Sequence, residues 1–336
     1  MRTVSRRGFN LALVSTTAVA CGANGVFAAD KETKVALLLS GVISDGGWGQ
    51  LAYEGIKDLA ARPSFKTAYA ENISQAQIPE VARGYADDGY DLIIGHGFEF
   101  GSALLEIAPD YPKTKFFVST FQPAPKIPDN IEFVNLAYLD AAYGAGALAA
   151  LCSDKKKAVG FVGGGDNPTQ QGMMKAFITA AERTVPGVKG LGIVTGDYNN
   201  AAKGKEAAAT MIGNGADVIW HAADVTGLGA IQGAVVGRAK VIGCYSDQTK
   251  LAPDSMVTSF VMNLSHMVIS AATSVADGKF AGGTEWKPTV TEMWLLKAGD
   301  NGDHNPKLIS PASWSAFQKV WTDLGAHKIS AADLIK

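Results

Sequence analysis

From residue 34 onward, short apolar runs alternate with longer stretches in which apolar residues recur every three or four positions. The runs predict buried strands and the stretches predict amphipathic helices. The first half of the chain has predicted strands at 35–39, 66–70, 91–95 and 116–119, with helices at 50–61, 78–88 and 102–108. The second half has strands at 158–162, 190–195, 217–220 and 240–244, with helices at 170–183, 201–213 and 227–238. Apolar strands that alternate with helices are typical of parallel sheets covered on both faces, so the pattern predicts two doubly wound α/β domains.

The last part of the chain departs from this rhythm. It predicts a strand at 256–262, a helix at 265–277, an apolar strand at 291–297 and a final helix at 313–324. The segment 122–130 contains three prolines, which favours a crossing between domains over a regular element.

The N-terminus has the pattern of an export signal. Residues 1–29 contain Arg2, Arg6 and Arg7, no acid, and an apolar run at 11–20. This predicts a signal peptide of residues 1–28, cleaved after the small residue Ala28. The string at 5–9, SRRGF, is typical of a twin-arginine signal, and a general secretory signal with a chance arginine pair is the alternative.

Export makes the periplasm the expected location. Cleavage before Cys21 would instead give a lipid-anchored protein, but Ala18 stands where such sites usually have leucine. No other segment has the roughly 20 uninterrupted apolar residues of a membrane-spanning helix.

Composition narrows the class of protein further. The 336 residues exceed the usual size of one hydrophobic core, which also favours two domains. Lysine and arginine number 30 against 32 acids, so the chain has no general electrostatic reason to bind nucleic acid. Three scattered cysteines without a C-x-x-C pair predict neither a disulfide scaffold nor structural zinc.

Motifs for catalysis are missing from the sequence. The glycines at 95, 97 and 101 follow a predicted strand, but their G-x-G-x-x-x-G spacing is one residue too long for a dinucleotide loop. There is no G-x-S-x-G nucleophile elbow and no H-E-x-x-H. We therefore expect no cofactor, no metal and no enzyme.

Aromatic and polar residues occur together where predicted strands end, and such strand ends bind ligands in open α/β sheets. Stacking rings with a few polar groups suit a planar heteroaromatic ligand. The pairs are Asp45 with Trp48, His96 with Phe98, Thr120 with Phe121, Trp220 with His221, and Tyr245 with Asp247.

Four segments together resemble the basic membrane protein family of substrate-binding lipoproteins, which includes purine nucleoside receptors of ABC importers. They are 44–55 (SDGGWGQLAYEG), 93–98 (IIGHGF), 215–220 (GADVIW) and 241–248 (VIGCYSDQ), and the likeness extends over about residues 34–277. The resemblance implies a type I periplasmic binding fold, two Rossmann-like lobes joined by three crossings near 120–135, 245–253 and 286–291. Lobe 1 would comprise residues 34–120 plus 246–288, and lobe 2 residues 121–245 plus 289–336.

The resemblance also implies an aromatic clamp around a purine. Trp48 would form one side and Trp220 the other, with Phe98 in reserve, and Asp45, Thr120 and Asp247 would read polar groups. Thr120 and Met262 stand where nucleoside-binding members have Asp and Lys, so we expect a free base to be preferred over a nucleoside. The candidate ligand-binding residues are Asp45, Trp48, Gly97, Phe98, Thr120, Phe121, Trp220, Tyr245, Asp247 and Met262.

The function expected from these features is capture of a purine base or similar heterocycle for an ABC importer. The implied partners are this ligand and a membrane permease, with no nucleic acid, and we expect a monomer. The alternatives are a nucleoside- or flavin-binding member of the family, an exported hydrolase acting on a similar heterocycle, and a sensory or chaperone-like binding module.

Overall fold

A computed structural model describes residues 32–45, 47–120 and 124–336 of the chain. The predicted signal peptide, Cys21 and Phe121 lie outside these residues. The strands are β1 Thr33–Leu39, β2 Phe65–Ala70, β3 Leu92–His96, β4 Lys115–Val118, β5 Ile131–Val134, β6 Ala158–Gly163, β7 Lys189–Val194, β8 Ala216–Ala222, β9 Lys240–Tyr245, β10 Met256–Met262, β11 Thr284–Trp286 and β12 Trp294–Lys297. The helices are α1 Trp48–Ala60, α2 Ile78–Asp87, α3 Phe100–Ile107, α4 Tyr138–Cys152, α5 Pro168–Thr184, α6 Ala201–Gly213, α7 Asp224–Val236, α8 Leu264–Ala276, α9 Val290–Met293, α10 Pro311–Gly325 and α11 Ala331–Leu334.

Lobe 1 is built on a parallel sheet with strand order β11-β5-β4-β3-β1-β2. The apolar run of β1 is buried on both faces. Leu37 belongs to the hydrophobic cluster on one face of the sheet, and its neighbour Leu38 belongs to a separate cluster on the other. Alternate residues of a strand point to opposite faces, so an apolar run of this kind needs cover on both sides.

Lobe 2 is built on a second sheet, with order β12-β10-β9-β8-β6-β7. Its strands are parallel except that β12 runs antiparallel to β10. The two parallel-sheet lobes confirm the predicted α/β fold class. The predicted strand at 291–297 is instead the short helix α9 followed by β12.

The strand pairing changes the predicted division of the chain. β5 pairs with β4, so residues 131–134 belong to lobe 1 rather than to lobe 2. β10 pairs with β9, so residues 256–262 belong to lobe 2 rather than to lobe 1. The proline-containing segment therefore connects two strands of one lobe instead of crossing between lobes. The reason is that strands of both sheets are equally apolar, and the pattern alone does not state which sheet a strand joins.

The described chain passes between the lobes at three places, and hydrogen bonds join these crossings. The Asn135 backbone N–H donates to the Trp286 carbonyl at 2.9 Å, which links the first crossing to the third. The Asn263 N–H of the second crossing donates to the Met293 carbonyl at 2.8 Å. The sequence predicted the third crossing near its observed place. The second lies after Met262, later than predicted, because β10 stays in lobe 2.

Candidate ligand-binding cleft

A cavity of about 310 Å³ opens between the two lobes, within the size range of small-molecule sites. The lobes approach each other closely at its edge. A Cβ atom built on Gly47 of lobe 1 would lie 3.8 Å from the Cβ of Tyr245 in lobe 2. The cavity is lined by Asp45 and Gly47 from lobe 1 and by Asp224, Leu228, Cys244, Tyr245, Ser246, Asp247, Gln248, Lys250 and Leu251 from lobe 2.

Asp45 holds the start of α1 in place. Its carboxylate accepts hydrogen bonds from the backbone N–H groups of Gly47, Gly49 and Gln50, at 2.9, 2.6 and 3.0 Å. These N–H groups have no partner within the helix, and a negative charge is favourable at this end of the helix dipole. Both carboxylate oxygens are thereby used, so Asp45 positions the helix that begins with Trp48.

The half-buried Trp48 side chain is fixed on one face by His96. The two rings stack with their centroids 4.1 Å apart and their planes 15° apart. His96 Nε2 lies 3.0 Å from the Trp48 carbonyl oxygen. A carbonyl only accepts, so Nε2 carries the proton and donates. Burial lowers the pKa of His96 to about 4, which keeps the ring neutral. Its Nδ1 is then a buried acceptor, and it has no hydrogen-bond partner among the described residues.

Four aromatic rings lead from lobe 1 to lobe 2 past the crossings. The ring of Tyr138 lies 6.5 Å from that of Trp48 and 5.9 Å from that of Trp294. Trp294 lies 6.2 Å from Tyr245 and donates its indole N–H to the Leu136 carbonyl at 2.7 Å. The sequence pattern did not reveal Tyr138 and Trp294. Tyr138 begins a helix that lacks amphipathic periodicity, and Trp294 lies in an apolar run that resembles core.

Asp224 is a second functional candidate that sequence reasoning missed. It is the first residue of α7, at the end of the β8 strand that the sequence did identify. Its φ of 46° lies in the left-handed region, which is uncommon for residues other than glycine. Burial, together with the charge of Asp45, raises the pKa of the Asp224 carboxyl to about 7. Burial also raises the pKa values of Tyr138 and Tyr245 well above the usual tyrosine value.

Trp220 lies in the core of lobe 2 rather than at the cleft. Its side chain is fully buried and stacks on Phe177, with centroids 5.9 Å apart, and tilts against Phe161 at 5.3 Å. The next residue of β8, His221, points to the other face of the sheet. There its ring Nε2 lies 2.9 Å from the Gln248 side-chain oxygen, beside Gly227. The expected second side of the clamp is therefore absent from the position that the sequence assigned to it.

The remaining predicted residues have different surroundings. Phe98 is 66% exposed and follows the buried Gly97, whose φ is 143°. Thr120 is half-buried just after β4. Met262 is 1% exposed at the end of β10, in the core beside its strand partner Trp294.

Asp247 lines the cavity but is held by its own lobe. Its Oδ1 accepts from the Thr249 hydroxyl and N–H at 2.6 and 3.1 Å, and its Oδ2 accepts from the Gly299 N–H at 3.1 Å. Burial alone would raise the pKa of Asp247, but these hydrogen bonds outweigh it and hold the pKa below the usual value.

Metal-binding clusters and membrane-spanning helices are both absent from the part of the chain that the structure describes. These residues contain no group of three or more histidine, cysteine or acidic side chains placed to hold a metal ion. They also contain no helix that is both long and apolar enough to cross a membrane.

The fold matches solved solute-binding proteins of ABC transporters. The structure from Aeropyrum pernix K1 superposes with a TM-score of 0.76 at 20% identity, over 89% of this chain and 92% of that chain. The structure of the protein from Conexibacter woesei DSM 14684 superposes with a TM-score of 0.71 at 22% identity, over 89% of this chain and 98% of that chain. At this identity the likeness establishes the fold, which is the type I fold of periplasmic solute-binding proteins.

Sequence comparison then gives the family. The family model named Bmp, for PnrA-like substrate-binding proteins of ABC transporters, matches residues 32–293, and the chain belongs to this family. It is 27% identical over 286 residues to an ABC transporter nucleoside-binding protein, BmpA, of Lactococcus lactis, covering 79% of this chain and 80% of the relative. It is also 27% identical over 278 residues to a purine-binding protein of Brucella abortus, covering 82% of this chain and 76% of the relative. The resemblance seen in the sequence is confirmed, and the chain is a substrate-binding protein of an ABC transporter.

Proposed function

We propose that this protein captures a purine base or a related planar heterocycle in the interlobe cleft and delivers it to the permease of an ABC importer. The observations that support the proposal are the Trp48 indole stacked on His96 at the start of α1, and the interlobe cavity, which is lined by the preceding residue, Gly47. A ligand ring stacks on the indole face that His96 leaves open, and such stacking contributes roughly 1–3 kcal/mol per base. The names of the Lactococcus and Brucella relatives, nucleoside-binding and purine-binding, support the same class of ligand.

The opposite side of the clamp is assigned to tyrosine rather than tryptophan. Trp220 is enclosed by phenylalanine rings, whereas Tyr245 lines the cavity and Tyr138 lies beside Trp48. No hydrogen bond to a described residue contributes to the pKa shift of Tyr245, so its hydroxyl in the cavity wall is available to polar atoms of a ligand. Phe98 remains a candidate for covering the ligand from the cleft entrance because of its exposure.

A free base fits these surroundings better than a nucleoside. Met262 is an apolar side chain in the core, and Asp247 already accepts three hydrogen bonds within lobe 2. A ribose next to them would leave hydroxyl groups without partners, at about 1–3 kcal/mol for each unsatisfied group. We therefore rank nucleosides, and flavins with their longer side chain, behind free bases.

The export signal predicted from residues 1–28 supports a periplasmic location for this receptor, which acts as a monomer with a membrane permease as its partner. An enzyme acting on the same heterocycle is the rival function. Incubation with adenosine, guanosine and inosine separates the two, because a binding protein releases no free base.

The ligand class is tested by mass spectrometry of small molecules that co-purify, followed by calorimetric titration. Adenine, hypoxanthine, guanine and xanthine are compared with adenosine, inosine and guanosine. We expect the bases to bind more tightly than the matching nucleosides. Tighter binding of the nucleosides would contradict the preference for a base, and failure of all seven compounds to bind would contradict the proposed function.

A further inference from the structure

Three acids line the cavity, and they differ in what their carboxylates already bind. Asp45 is satisfied by the first turn of α1, and Asp247 by Thr249 and Gly299. The carboxylate of Asp224 accepts no hydrogen bond from any residue that the structure describes. Asp224 is half-buried and lines the cavity, so a ligand held there can supply the missing hydrogen-bond partner.

The backbone at Asp224 is held in its unusual conformation by the next residues of α7. The Thr226 N–H donates to the Tyr198 carbonyl at 3.0 Å, and its hydroxyl donates to the Asp197 carbonyl at 2.8 Å. Gly227 packs directly against the His221 ring. Residues held at positive φ by their surroundings are concentrated at functional sites. Asp224 is therefore a fixed feature of the cavity wall.

The pKa of Asp224 is shifted by burial and by the charge of Asp45, and no positive charge is among these causes. His221 is neutral because burial lowers its pKa to about 4. Lys250 also lines the cavity, but its residue is exposed. The other titratable groups that act on Asp224 or on its cluster are Asp45 before α1, Tyr138 on α4, Tyr198 before α6, and Cys244 and Tyr245 on β9.

We propose that Asp224 determines ligand specificity by accepting hydrogen bonds from N–H groups of the heterocycle, either ring N–H or exocyclic amino. The inference rests on the proposed function, since it concerns the same cleft. The three acids and the Tyr245 ring of the cavity wall, against one exposed lysine, favour neutral or cationic heterocycles with N–H donors over anionic ligands such as nucleotides.

Binding in this mode is coupled to release of a proton. The Asp224 pKa of about 7 means that the empty site is partly protonated at neutral pH. N–H donors stabilise the ionised carboxylate, so ligand binding expels the proton. For a group with this pKa, the ionised fraction rises about tenfold from pH 6 to pH 8, and the affinity rises by the same factor.

The test is calorimetric titration of adenine and hypoxanthine at pH 6, 7 and 8, in buffers of different ionisation enthalpy. Asp224→Asn is the informative variant, because asparagine keeps the shape, tolerates positive φ and does not titrate. Asp333→Asn, near the C-terminus, is the matched control, with a side chain that is 66% exposed. We expect wild type and the control to gain about tenfold in affinity between pH 6 and 8, with proton release. Asp224→Asn should lose the pH dependence and bind about tenfold more weakly at pH 8.

Two results would contradict the inference about Asp224 and leave the proposed function standing. The first is affinity that falls between pH 6 and pH 8, which would mean that a protonated Asp224 donates to the ligand. The second is Asp224→Asn binding like wild type while Trp48→Ala still weakens binding. If none of the seven purine bases and nucleosides binds to any of these proteins at any pH, the proposed function fails and the inference fails with it.

Discussion

Trp48 and Trp220 show how the same residue type has different surroundings in the two lobes. Trp48 begins a helix at the cleft and rests on one histidine, whereas Trp220 is enclosed by rings on a central strand. The sequence places both tryptophans near the end of a strand. For Trp220, it does not show to which face of β8 the side chain points. One residue along the strand reverses the face, so the pattern alone did not identify Trp220 as core.

Replacing Trp48 by alanine should weaken binding of the base by roughly 5- to 150-fold, since it removes one stacking surface worth about 1–3 kcal/mol. Val236→Ala serves as the control, because Val236 is 74% exposed at the end of α7. Calorimetry and thermal unfolding are measured together. A large fall in melting temperature with unchanged affinity would show that Trp48 is a core residue.

Glu132 gives a prediction about pH and stability. It is 8% exposed in β5, and burial raises its pKa from 4.5 to about 7. The folded state then holds the proton more tightly than the unfolded state. Stability is therefore greatest below about pH 4.5 and falls as the pH rises through 7, by up to roughly 3 kcal/mol for this group.

The variant Glu132→Gln removes that titration. Between pH 5 and pH 8 its melting temperature should fall less than that of wild type, and at pH 8 it should be the more stable protein. Glu106→Gln, at an exposed position of α3, is the control and should follow wild type. Equal slopes for Glu132→Gln and wild type would mean that Glu132 ionises freely in the folded state.

At the scale of elements, the sequence predicted most of the strands and helices but missed α4. Amphipathic helices such as α2 have one apolar face, and the pattern reveals them. α4 is rich in alanine and glycine and buried on nearly every side, so it has no polar face to define a period. Strand β5 was missed because Glu132 interrupts its short apolar run.

Close packing of α4 on α5 depends on Gly146. A Cβ at this position would lie 2.2 Å from the Phe177 carbonyl oxygen, so any side chain pushes against backbone. Gly146→Ala should lower the free energy of unfolding by about 1–3 kcal/mol. Gly213→Ala, at the end of α6, meets nothing within 4 Å and should raise it by about 0.4–1 kcal/mol. Urea denaturation measures the free energy of unfolding of both variants, and a Gly146→Ala variant as stable as wild type would show that the close approach has no energetic importance.

For the whole molecule, the fold class followed from the sequence but the lobe boundaries did not. Alternation of strands and helices is local, whereas the pairing of β10 with β9 joins segments that the pattern treats separately. The residues that line the cavity were foreseen only in part for the same reason. Strand ends such as Tyr245 are visible in the sequence, but the approach of Tyr138 and Asp224 to them depends on how α4 and α7 pack on the sheet of lobe 2.

The crossings also predict a hinge. Backbone hydrogen bonds join the three crossings to one another, whereas Gly47 and Tyr245 face each other across the cleft at van der Waals distance. Opening would separate Gly47 from Tyr245 while the crossings stay joined. We expect the radius of gyration in solution to decrease when adenine is added, as the lobes close on the ligand.

The contact between Gly47 and Tyr245 allows this closure to be fixed covalently. A Cβ atom built on Gly47 would lie 3.8 Å from the Tyr245 Cβ, which is about the usual Cβ separation in a disulfide, so the double variant Gly47→Cys with Tyr245→Cys should cross-link when oxidised. The oxidised protein should have the radius of gyration of ligand-bound wild type and should not respond to adenine. Reduction should restore the larger ligand-free value, and each single variant should behave as the reduced form. If ligand-free wild type already scatters like the cross-linked protein, the lobes are closed before binding, and ligand must enter by some other motion than the opening of this hinge.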